Sequence, residues 1–119
     1  VLARDVSDAL AEIFPGDPPR FLARTPHGYH DCGEVRRDLE AAGFTAIDVE
    51  TVSAMSRADS AAIPAIGFCR GSPLANELMA RCPDGLDAVT AQVRDALAKR
   101  HGDAEIAGKA RGFIYTART

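Results

Sequence analysis

The stretch that most constrains the fold is the last one, Lys109–Arg118, reading KARGFIYTAR. Gly112–Ala117 is apolar without alternation and rich in β-branched and aromatic residues, which is the pattern of a strand covered on both faces. Only one other segment reads as a strand. A two-stranded ribbon is marginal by itself. A doubly covered strand with a single partner therefore implies a larger sheet than these 119 residues supply.

That partner is the second half of Glu34–Ser53, EVRRDLEAAGFTAIDVETVS. Val35, Leu39 and Ala42 recur at helical spacing. After Gly43 the period falls to two, with Ile47, Val49 and Thr51 alternating with Asp48 and Glu50. A helix closed by Gly43 and followed by a half-buried strand accounts for both periods. Glycine suits the left-handed cap because it has no Cβ to clash there. Phe44 is expected to begin the strand.

The helices can be read by spacing and punctuation. Leu2, Val6, Ala9, Leu10 and Ile13 form one apolar face, ended by Pro15-Gly16-Asp17-Pro18-Pro19 because proline supplies no helical N–H. Phe21–Asp31 shows no sustained period and reads as a long loop. Between the strands, Asp59 or Ser60 can cap a helix running to about Arg70, with Pro64 near its first turn. Gly71-Ser72-Pro73 is a stop and restart, with Ser72 as cap and Pro73 as first helical residue. Leu86, Val89, Val93 and Leu97 then mark an amphipathic helix, whose end, Lys99-Arg100-His101-Gly102, satisfies the dipole and capping preferences. No internal repeat interrupts this order.

Composition excludes more than it identifies. A net charge of -3 without a basic stripe argues against nucleic acid as a partner. No apolar run is long enough to span a bilayer, and nothing resembles a signal peptide. Cys32, Cys69 and Cys82 are an odd number without CxxC spacing, which suits reduced thiols in a cytoplasmic protein. The first residue is Val1, already inside a helical pattern, so the expectation is one domain, 1–119, that is a C-terminal fragment of a larger one.

Chemistry-bearing residues are sparse. His27, His30, Asp31 and Cys32 fall close together, but a metal site needs a fixed ligand count and geometry that a short loop cluster lacks. Nothing marks Cys32 as an activated nucleophile beside either histidine. Asp48 and Glu50 share a strand face and read as a solvated pair rather than an acid–base couple. Neither GxGxxG nor GxxxxGK[ST] occurs, so no nucleotide-binding turn is present. His27 and Tyr29, in a loop punctuated by Pro and Gly, are the residues that could line a pocket.

The order of landmarks resembles the C-terminal part of class I S-adenosylmethionine-dependent methyltransferases of the small-molecule type. The matching pieces are VSDALAEIFPGDPPRFLAR, TPHGYHDCGEVRRDLEAAGF, SRADSAAIPAIGFCRGSPLANEL and RGFIYTAR, and they cover nearly the whole chain. The resemblance implies an α/β, Rossmann-like parent sheet, α+β as a fragment. It implies two antiparallel strands, at about 44–53 and 109–117, with about five helices. The first would correspond to the sixth strand of the family. The second would correspond to the seventh, which runs antiparallel between the fifth and sixth. It further implies that the loop at Phe21–Asp31 lies on the substrate side, so that Phe21, His27 and Tyr29 could touch a small methyl acceptor. No catalytic residue carries over. The cofactor would be S-adenosylmethionine in the intact enzyme and none for this chain alone, because the Gly-rich loop and the acid for the ribose have no counterpart here. Two other readings are a non-catalytic module that self-associates through an unpaired strand edge or uncovered helix faces, and a stand-alone ligand-binding α+β domain, which needs a pocket within this chain.

Overall fold

A computed structural model describes residues Val1–Thr119. The elements run α1 (Leu2–Ile13), α2 (Phe21–Arg24), α3 (Cys32–Ala41), β1 (Ala46–Ala58), α4 (Ala62–Arg70), α5 (Leu74–Arg81), α6 (Asp87–His101) and β2 (Ile106–Arg118). The fold is α+β: six helices and one two-stranded antiparallel sheet. The expected strands and the three helices between them are present. The sixth helix is α2, a single turn inside the segment read as loop.

The helical body packs α1, α2, α4, α5 and α6 around one apolar cluster. Val6 and Leu10 of α1 meet Ala65 and Cys69 of α4, Leu74 and Leu78 of α5, and Val89, Val93 and Leu97 of α6. These positions sit at i, i+3 and i+4 spacing, so each helix turns one stripe inward. Pro64 lies within the first turn of α4, where the missing N–H has no acceptor to leave unsatisfied. The restart before α5 falls one residue later than expected. Pro73 is the cap, and the Ser72 hydroxyl donates to Phe68 O at 2.7 Å and accepts from Leu74 N–H at 3.3 Å. At the far end of α6, Gly102 takes a φ of 90° directly after Lys99, Arg100 and His101. Arg100 reaches Asp5 and Asp8 at 3.2 and 3.3 Å, and His101 Nε2 lies 2.8 Å from Asp5. This joins the C-terminal turn of α6 to α1.

The ribbon leaves this body. Each strand is 13 residues long, paired from Ala58↔Ile106 at the base to Ala46↔Arg118 at the tip. At about 3.3 Å per residue that is roughly 43 Å, most of the 51 Å length of the molecule. The radius of gyration is 17.1 Å, against about 13.5 Å for a compact chain of this size. The ribbon is buried only near its ends, at Ile106 and Gly108 by the body and at Ile47 under α3. A Cβ on Gly108 would sit 2.7 Å from Leu2 Cγ of α1, so strand and helix touch closely there.

The expectation that β2 is covered on both faces is not met within this chain. Lys109–Gly112, Ile114, Thr116 and Arg118 are exposed. The reason is the absence of a second layer: the helical body reaches only the base, and α3 covers only the other end of one face. Phe44 also precedes the strand instead of beginning it. Its N–H bonds Leu39 O while Gly43 N–H bonds Glu40 O, with Gly43 at a φ of 95°. These are the two paired bonds of a Schellman cap, and they hold Phe44 beside the end of α3.

Candidate functional site

The residues singled out by sequence lie where the Phe21–Asp31 segment passes from the body to α3. Phe21 opens α2 and packs partly buried against the core cluster, so its ring is committed to the body. His27 is exposed. Its backbone N–H donates to Leu22 O at 3.0 Å, and its ring makes no hydrogen bond or ion pair. The chain then turns so tightly at Gly28 that a Cβ there would lie 2.2 Å from Arg24 O, which only glycine tolerates. Tyr29 follows, 57% exposed. Its hydroxyl donates to the Asp38 carboxylate of α3.

Asp31 caps α3 by accepting from Gly33 N–H at 2.7 Å and Glu34 N–H at 3.3 Å. Those two backbone donors hold its carboxyl below the usual range. Cys32 is the first residue of α3. The register of the ribbon carries Tyr115, opposite Val49, to the same place. Tyr115 and Val49 share the strand face of Ile47, which α3 covers; Val35 and Ile47 are buried there, apart from the main core. Arg36 of α3 donates to Ile47 O at 3.2 Å and ties helix to strand.

Tyr115 is the least expected member of this group. Its hydroxyl oxygen is shielded from solvent and has no hydrogen-bond partner. The neighbouring Cys32 thiol, then desolvation, then the charges of Cys32, Tyr29 and Asp31, push its pKa up to about 12. Tyr29 is raised as well, first by its bond to Asp38 and then by desolvation. Two phenols, one thiol and two carboxylates thus meet at the junction of α3 with β2. Such a set holds its phenols protonated and can offer donors to a polar atom; it contains no positioned base beside a nucleophile. The three cysteines form no disulfide, and no three His, Cys, Asp or Glu side chains stand close enough together to hold a metal ion.

Of the three residues expected to line a pocket, then, the structure brings only Tyr29 into this cluster. Phe21 is in the core, and the His27 ring has no partner. Cys32 was visible in the sequence as a loop-side thiol. Tyr115 and Asp38 carried no local signal, since one sits in an apolar strand and the other in a charged helix face. Only the strand register could have linked them.

A concavity lies elsewhere. It is a cleft of about 450 Å³ between the α1–α2 connection and α5, lined only by polar, charged, Gly and Pro residues, including Arg20, Arg24, Glu77 and Arg81. A second, of about 330 Å³, runs between α4 and α6 past Ile66 and Thr90, with Arg70 paired to Asp87 at its rim. Compared with known proteins, the chain matches no family model and no curated protein.

Proposed function

We propose that this chain is the C-terminal, substrate-side region of an S-adenosylmethionine-dependent methyltransferase acting on a small molecule. The observation that carries the reading is the ribbon. Its two strands are antiparallel neighbours joined by three helices, and β2 has an unpaired edge and apolar residues with nothing over them. A strand in the position of the family's seventh would be paired on that free edge by the fifth. The exposed edge and the apolar run would then both be accounted for. In this reading the cofactor is held by chain upstream, and the methyl acceptor passes along the Phe21–Asp31 segment, with Tyr29 and Tyr115 as the groups able to touch it. The work of such a wall is positioning, because methyl transfer depends on bringing the acceptor in line with the sulfonium. Cytoplasmic placement belongs to the same proposal and rests on three unpaired thiols. No helix is long and apolar enough to cross a membrane.

Calorimetry tests this reading in two steps. The 119-residue chain should show no micromolar binding of S-adenosylmethionine, and the polypeptide extended upstream by about one domain, on the order of 150 residues, should show it. Micromolar binding by the short chain, or none by the extended one, contradicts the proposal.

Self-association is a second reading, favoured by one observation. Val52, Met55 and Ile114 are 42%, 52% and 53% exposed along the ribbon. An open edge flanked by such residues pairs readily with another copy. Sedimentation of a monodisperse monomer at high concentration counts against it.

A further inference from the structure

The polar cleft between the α1–α2 connection and α5 has a charge arrangement that the methyltransferase reading does not use. Glu77 and Arg81, one turn apart on α5, face it, and so do Arg20, just before α2, and Arg24, its last residue. Three guanidinium groups meet two carboxylates there, Asp17 and Glu77, in a chain whose net charge is -3. The region is locally cationic on an acidic molecule.

The three arginines are not equivalent. Arg81 is fully engaged: Nε donates to Asp17 O at 2.7 Å, Nη1 to Glu77 O at 2.7 Å, and Nη2 pairs with the Asp17 carboxylate at 3.0 Å. It fastens the proline-rich connection to α5, and its side chain is only 18% exposed. Arg24 is half engaged, giving one Nη2 bond to Glu77 Oε1 at 2.9 Å. Arg20 contributes only its backbone N–H, to Glu77 Oε2 at 2.9 Å, and its guanidinium has no partner. Both oxygens of Glu77 are therefore occupied by donors. Desolvation pushes its carboxyl up, but the Arg20 N–H and the Arg24 guanidinium outweigh that and hold it low and ionised. The two carboxylates consequently neutralise Arg24 and Arg81, and the Arg20 fork is left unpaired above the cleft.

We infer that this cleft binds the phosphate group of a small polar molecule, with Arg20 and the free edge of Arg24 as its ligands. A single planar carboxylate satisfies one guanidinium fork. A tetrahedral dianion has enough acceptor oxygens for two forks at once, which is what residues four apart across one helical turn present. No hydrophobic side chain lines the cleft, and a volume of about 450 Å³ exceeds a phosphate group, leaving room for the molecule that carries it. The inference is independent of the methyltransferase reading and stands whether or not that reading fails.

The test is a titration of the folded chain with inorganic phosphate, against chloride at matched ionic strength. Amide chemical shifts and calorimetry are the readouts. Phosphate should saturate, with shifts at residues 16–24, 77 and 81. R20A should weaken it about tenfold, the loss of one charge-assisted hydrogen-bond pair, without moving the thermal midpoint, since the Arg20 side chain makes no hydrogen bond or ion pair. R20K, a charge without the fork, should fall between. Malonate is the second probe. Non-saturating phosphate shifts no larger than those of chloride, equal affinity in R20A, or a preference for malonate overturns the assignment.

Discussion

The helical body and the ribbon show how two parts of one short chain can be held by different means. In the body, Val6, Leu78, Val93 and Leu97 are fully buried, and each helix meets at least one other through such residues. Its stability comes from apolar area removed from water and from close packing. The ribbon beyond its base has almost none of this. Its strands hold each other by their backbone ladder, one end is anchored by Gly108 against Leu2, and the other is covered on one face by α3 through Val35 and Ile47. The contrast shows that hydrophobic sequence does not by itself produce burial: Ile114 and Leu97 are similar in chemistry and opposite in environment.

The largest effect that could break this contrast is truncation of the body core. Leu78→Ala should cost about 2–5 kcal/mol in chemical denaturation, from lost transfer energy and the cavity left behind. Ile114→Ala should cost under about 0.5 kcal/mol. Equal costs would mean that the ribbon is covered in solution, and would favour the self-association reading. Next in size, Gly43→Ala places a Cβ at a φ of 95°, which should destabilise by about 1–2 kcal/mol and speed amide exchange in α3 while α6 stays protected. Uniform loss of protection in both would show the two regions to be one cooperative unit.

Smaller effects sharpen the junction itself. Asp31→Ala removes the acceptor for Gly33 and Glu34, so exchange should quicken in the first turn of α3 only. The wild-type cap has a pH signature. Because the folded carboxyl is held low, its contribution is present above the unfolded carboxylate pKa of about 4 and is lost as pH falls through the folded value. Tyr115 gives the opposite sign. Its pKa is raised to about 12, so its contribution is complete below the unfolded phenol value of about 10 and lost as pH rises toward 12. The chain has two tyrosines, so Tyr29→Phe leaves Tyr115 as the only phenol. Phenolate absorbance should then appear well above the ordinary phenol value of about 10, toward the value of about 12 that Tyr115 has beside Tyr29; a midpoint near 10 would mean that neither Cys32 nor burial acts on the hydroxyl.

What could be read from sequence follows the same division. Local rules were sufficient for α1, α6 and the α3-to-β1 turn, because periodicity and the Gly43 and Gly102 caps depend on neighbours in the chain. The one-turn α2 escaped, since four residues give no period to detect. Burial of β2 was misjudged because the pattern records what a strand is suited to, while coverage depends on layers elsewhere. The candidate groups divide similarly. His27 and Tyr29 stood out by residue type in a loop, whereas Tyr115 beside Cys32, and Arg20 beside Glu77, come together only through strand register and helix packing. No spacing rule reaches across such separations.

The ribbon's geometry also sets an order of assembly. Ala58 and Ile106, the first pair at its base, are joined by the three helices α4–α6, so their meeting is entropically costly until those helices fold and bring the ends together. Pairing should therefore start at the base and close toward Ala46 and Arg118, and α3 should gain its strand partner last. Such a sequence places the rate-limiting step in the helical body. Pulse-labelled hydrogen exchange during refolding should find amides at 106–108 protected before those at 115–118, and the reverse order would locate the nucleus at the tip.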